Sequence, residues 1–110
     1  MSVSAFVGID DGYTLDGKIK AAPGIYPEMS FKYRPVSWTE RNHLRGLAGE
    51  FEKQGEFADK LIAAKVVSWN FEEPVGLSSV KRMRAALKSA VLDLICEYAA
   101  SDEAEADAKN

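Results

Sequence analysis

The stretch Met29–Leu47, MSFKYRPVSWTERNHLRGL, holds a strand, a stop and a helix start within one short span. Met29, Phe31 and Tyr33 point one way while Ser30, Lys32 and Arg34 point the other, the period of two of a half-buried strand. Pro35 has no amide hydrogen to donate and ends the ladder. Ser37-Trp38-Thr39-Glu40 then has capping-box spacing, a hydroxyl at the helix start and a carboxylate three residues on, so each side chain satisfies an orphaned amide of the other. Strand, turn and capped helix are therefore specified locally, and none of these residues makes a reactive centre.

Outward from this segment, the N-terminal side reads as strands. Val3, Ala5, Val7 and Ile9 alternate, with Phe6 on the other face, until Asp10-Asp11-Gly12 breaks the run. Tyr13–Lys20 reads as a hairpin about a type I′ turn at Asp16-Gly17, because that turn needs positive φ at both central residues. Ala21-Ala22-Pro23-Gly24 is a second turn, and Ile25-Tyr26-Pro27 leads in extended form into the Met29–Arg34 strand. Four strands joined by short loops imply an antiparallel meander or small curled sheet.

The C-terminal side reads as helix. Leu44, Leu47, Ala48 and Phe51 predict an amphipathic helix over Trp38–Gln54, stopped at Gly55. A second helix over Glu56–Lys65 carries Phe57, Ala58, Leu61 and Ile62 on one side, and Val66–Phe71 alternates as a short strand with Val67, Trp69 and Phe71 together. Glu72–Gly76 is a turn. The last helix, capped by Ser78 or Ser79, carries a five-turn stripe of Val80, Met83, Leu87, Ala90, Val91, Leu94, Ile95 and Tyr98. The expected fold is thus α+β: one domain over 1–100, β-rich over 1–35 and mainly helical over 36–100, a small antiparallel sheet packed against three helices. Trp38 and Trp69 are expected in the core or at sheet–helix contacts.

Size and charge narrow the function classes. A chain of 110 residues supports one core. Hydrophobic residues make up 46% and charged residues 28%, ordinary values for a water-exposed globular domain. No apolar run approaches the length that crosses a bilayer, and the first residues lack the basic and apolar regions of a signal peptide. The single Cys96 suits a reducing compartment, so a cytoplasmic location is expected. The net charge of −3 resides in the tail 101–110, SDEAEADAKN, which has no apolar residue larger than alanine and is expected to be frayed or disordered. The neutral remainder offers no general steering field for nucleic acid or membrane.

Chemistry-bearing groups are sparse. Asp10, Asp11 and Asp16 lack calcium-loop spacing and each sits where a turn favours aspartate. His43, the sole histidine, is expected on the polar flank of the first helix, with no second histidine to complete a metal site. Cys96 falls beside the apolar stripe as a core-edge thiol, and no glycine-rich phosphate loop or nucleophile elbow is present. Lys81, Arg84 and Lys88 share a helix face, which is either a solvated face or a phosphate-binding one. No aromatic interleaving supports the second, so nucleic acid is an unfavoured partner.

The residues DGYTLDGKIKAAPGIYPEMSFKYRPVSWTER, followed by a helix and AAKVVSWNFEEPVG, resemble small prophage-encoded proteins grouped with the tail assembly chaperones of long-tailed phages. The matching elements are Asp11–Thr14, Pro23-Gly24, Phe31–Pro35, Glu40-Arg41 and Val67–Trp69, in an order spanning residues 11–95. The resemblance implies a non-catalytic protein without cofactors that escorts the tape-measure protein and helps tail-tube subunits polymerise. Two other readings stay open: a structural tail or head-tail component, and a small nucleic-acid-binding regulator using the last helix. The expected partner-binding residues are Met83, Leu87, Val91, Leu94 and Tyr98, rimmed by Lys81, Arg84 and Lys88. The basic first half and the acidic second half (Asp93, Glu97) of that helix also suggest a weak homodimer through antiparallel helix pairing.

Overall fold

Residues 14–98 are described by a computed structural model. The strand expected over Val3–Ile9, the break expected at Asp10-Asp11-Gly12 and the acidic tail lie outside the described residues. The elements in chain order are β1 (Leu15–Ile19), β2 (Met29–Tyr33), α1 (Trp38–Gly46), α2 (Phe51–Lys65), β3 (Val66–Trp69), α3 (Leu77–Lys81) and α4 (Ala85–Ile95). The three strands form an antiparallel sheet in the order β1-β2-β3, so the architecture is α+β.

β2 is the central strand, and its alternation is as the sequence predicts. Met29, Phe31 and Tyr33 are buried, whereas Ser30 and Lys32 are exposed. The inward face is completed by Ile19 and Gly17 of β1, which oppose Met29 and Phe31, and by Trp69 of β3, opposite Phe31. Behind it lie Ala58, Leu61 and Ile62 of α2, and Leu87, Val91, Leu94 and Ile95 of α4. The chain leaving β2 is tied to both helices by its backbone: the Arg34 amide donates to the Lys65 carbonyl at 2.8 Å and the Val36 amide to that of Ile95 at 3.2 Å. The capping box is present, with the Glu40 amide donating to Ser37 Oγ at 3.2 Å and the Ser37 amide to Glu40 Oε1 at 3.0 Å.

The expected hairpin at Asp16-Gly17 is not formed. Both residues lie inside β1, paired with Lys32 and Phe31, and the reversal occurs at Ala22–Ile25. There Pro23 and Gly24 (φ +80°) occupy the two central positions, as a type II turn requires. Gly17 serves packing instead: a Cβ built on it would come within 2.7 Å of the Phe31 ring. Asp-Gly is a strong turn signal only when the flanking arms pair with each other, and here both arms pair with β2.

Helix boundaries also differ. The first helix ends at Gly46 instead of Gln54, and Gly49, at φ +95°, reverses the chain where Gly55 was expected to. Gly55 sits inside α2, an interior glycine that costs about 1 kcal/mol relative to alanine and is carried by burial of Ala58, Leu61 and Ile62. The shifted break points Phe51 into solvent, away from Leu44, its expected stripe partner. The Val67 alternation is interrupted by a bulge: Ser68 pairs with Lys32 but Val66 with Tyr33, so Val66 is buried and Val67 is exposed. Trp38, expected in a packed contact, is 69% exposed. The expected five-turn last helix is two helices, since Arg84 is extended (φ −61°, ψ 139°) between α3 and α4, and neither has a serine cap. Among the described residues four helices thus stand where three were expected.

Two predictions arise from these contacts. Gly17→Ala drives a methyl group into a buried ring and should destabilise the domain by about 1–3 kcal/mol, part of which Phe31→Leu restores; a urea midpoint that alanine leaves unchanged would show that the ring yields freely. Ser37→Ala should cost about 1 kcal/mol.

Glu40 adds a pH dependence. Burial raises its carboxyl pKa, but hydrogen bonds from Ser37 and the Lys65 ammonium, 2.9 Å away, outweigh it and leave the pKa below the ordinary value. The resulting stability is present above the ordinary glutamate pKa of about 4.3 and is lost as pH falls through the lower, folded value. Glu40→Gln should therefore be less stable than wild type at neutral pH, and the gap should close in acid.

Candidate functional site

The residues expected to contact a partner separate into three groups. Leu87, Val91 and Leu94 are buried in the chain's own core, at 4%, 0% and 4% exposure. Lys88 reaches Asp59 of α2 at 2.7 Å and clamps α4 to α2, so it is not part of an open basic face. Met83, Lys81 and Arg84 gather at the elbow between α3 and α4, Met83 half-buried and the two cations exposed. Tyr98 lies past the end of α4, 47% exposed, with the Arg41 guanidinium 4.0 Å from its ring centre. The solvent-facing stripe on which antiparallel helix pairing would depend is thus taken up by folding.

The elbow creates a different site. Met83 and Leu87 face Trp69 and Phe71, from the end of β3 and the turn after it, and Pro27 from the β1–β2 connection. Together they line a mainly apolar cleft of about 220 Å³. Glu73, Arg82 and Arg84 also line it, with Arg82 Nη2 2.6 Å from Glu73 Oε2. Two hydrogen bonds hold the surrounding turn: Trp69 Nε1 donates to the Glu73 carbonyl, and Ser79 Oγ to that of Pro74. Arg84 forms no ion pair within the described residues. Trp69 and Phe71, ring centres 5.6 Å apart, belong to the site though only their alternation marked them in sequence.

Size decides what such a cleft accommodates. Sites for small organic ligands run roughly 300–1,000 Å³. At about 220 Å³ this one suits a single large apolar side chain projecting from another protein. A wider hollow of about 400 Å³ lies over the sheet's outer face, lined by Asp16, Ser30, Lys32, Ser68 and Asn70. Its charged and amide side chains are already engaged. Lys32 pairs with Asp16 at 3.0 Å, and Asn70 accepts from the Ser30 amide while donating to the Glu28 carbonyl.

Around the N-terminus of α1, Arg41 lies between Tyr98 and Trp38, whose ring centre is 5.8 Å away. Its Nε is buried without a hydrogen-bond partner, covered by these rings. His43 is exposed on α1, as expected, and packs edge-on against Phe57 of α2 at 4.6 Å. No group of three or more metal-ligating side chains occurs among the described residues, and no described helix is long and apolar enough to cross a membrane. Comparison of the chain with protein-family models, curated proteins and solved structures gives no match.

Cys96 caps the end of α4 at 1% exposure. Burial pushes its thiol pKa up; Arg41 opposes this, and Asp93, Glu40 and Glu97 add to it. A thiol held protonated and covered is a poor nucleophile. Ellman's reagent at pH 8 should accordingly leave native protein almost unlabelled and react fully in denaturant; rapid native labelling would mean that the end of α4 opens readily.

Proposed function

We propose that this chain is a non-catalytic phage-tail morphogenesis factor, a tail assembly chaperone that works in the cytoplasm through contacts with tape-measure and tail-tube proteins. The observation that carries the reading is the α3–α4 cleft, an apolar socket sized for one side chain and lined in part by charged groups. Such a site suits recognition of exposed apolar residues on another chain, the surface that a long helix-forming tape measure presents before the tube closes around it. The ordered resemblance over residues 11–95 supplies the biological class, and the exposed Trp38, Phe51 and Tyr98 extend the apolar surface available for contact. Lys88 and Arg82, both engaged with carboxylates, leave little of a basic helix face, which weighs against the nucleic-acid alternative.

Co-expression with the tape-measure protein of the same genome tests the reading. The soluble fraction of the tape measure should rise several-fold with this chain and fall back when Met83→Asp places a carboxylate in the cleft. A tape measure that is neither bound nor made more soluble removes the chaperone reading.

A further inference from the structure

The same chain carries a group that matches the cleft. Phe51, the first residue of α2, is 82% exposed, the highest value among the exposed large apolar residues. It is flanked in sequence by Glu50 and Glu52, both exposed. Glu50 pairs with Lys53 at 3.3 Å, whereas Glu52 has no ion pair among the described residues. Phe51 is thus an exposed apolar side chain with a carboxylate on either side of it in sequence.

The cleft is its complement. Its apolar lining has room for one large side chain, and with Glu73 paired to Arg82 the remaining charge in the lining is that of Arg84, with exposed Lys81 nearby in the chain. Phe51 is not among the residues lining its own cleft, so the two features do not meet within one copy. We infer that the α3–α4 cleft of one copy receives Phe51 of a second copy, with Glu52 beside the knob set against Arg84 of the socket. This rests on the proposed reading only in that the cleft is a protein-contact site, and is independent of the phage assignment.

The chemistry favours this occupant over the chain's own tail. Residues 101–110 supply carboxylates but no apolar side chain larger than alanine, and cannot fill the socket. A contact built on one knob is small, so association is weak and salt-sensitive. It also confers a use: self-association covers the apolar socket until a stronger partner displaces the second copy.

Sedimentation velocity over a wide concentration range tests the contact, with two exposed-site variants. Wild type should associate reversibly, more weakly in high salt. Phe51→Ala removes the knob and Arg84→Glu reverses the socket's charge, and each should weaken self-association about tenfold or more. Circular dichroism should report both as folded, since neither side chain is buried. The deciding measurement mixes them. The Phe51→Ala chain keeps an intact socket and the Arg84→Glu chain an intact knob, so the mixture should form heterodimers that neither forms alone. Wild type that stays monomeric to millimolar concentration, variants that associate like wild type, or a mixture that remains monomeric would each overturn the inference. Because no tape measure is present, any of these outcomes leaves the chaperone reading to its own test.

Discussion

Phe31 lies over Gly17, and the domain is assembled about that contact. A side chain on residue 17 would hold the ring away from β1, and the inward face shared with Met29, Tyr33 and Trp69 would not close. The same strand hands its backbone on to the helices, through Arg34 to the end of α2 and through Val36 to the end of α4. β2 thereby fixes where α2 stops and where α4 ends, although both are distant from it in sequence. Loss of the strand would remove these two backbone ties as well as the sheet.

The break between α3 and α4 is the next consequence. No proline or glycine lies in Lys81–Ala85, so local preference alone would continue the helix. Side-chain contacts lie on both sides of the break. Glu73 holds Arg82, the Pro74 carbonyl takes the Ser79 hydroxyl, and Asp59 anchors Lys88 on the far side of the elbow. With the elbow in place, Val80 and Leu87 both reach the core and Met83 is left at the surface beside Trp69 and Phe71. The cleft therefore exists because the helix does not run straight.

Much of the fold was legible in the residues. The capping box at Ser37 and Glu40 and the Pro23-Gly24 turn depend on interactions within a few residues, while the apolar patterns of Met29–Tyr33 and Val66–Trp69 mark strands that long-range pairing then completes. The candidate site was only half legible. Met83 and Arg84 were marked by helical spacing, but the same spacing marked Leu87, Val91 and Leu94 as available when the core takes them. The contribution of Trp69 and Phe71 depended on a turn whose direction is set by contacts from Trp69 to Glu73 and from Arg82 to Glu73.

What the sequence by itself determined is the set of local structures: where β2 runs, where α1 begins, which residues are apolar enough to be buried, and that the net charge sits in the last residues. What only the tertiary structure decided is which competing local preference prevails. Asp16-Gly17 favours a turn in isolation, yet β1 runs through it because Gly17 is the position that leaves room for Phe31. Gly49 and Gly55 are equal candidates to end a helix, and burial of Ala58, Leu61 and Ile62 keeps the second inside α2. The last helix is continuous by propensity, and its break falls between Val80 and Leu87, each packed in the core. Local signals are worth about 1 kcal/mol each, whereas burying a large apolar side chain is worth roughly 1.5–3, so where they conflict the packing wins.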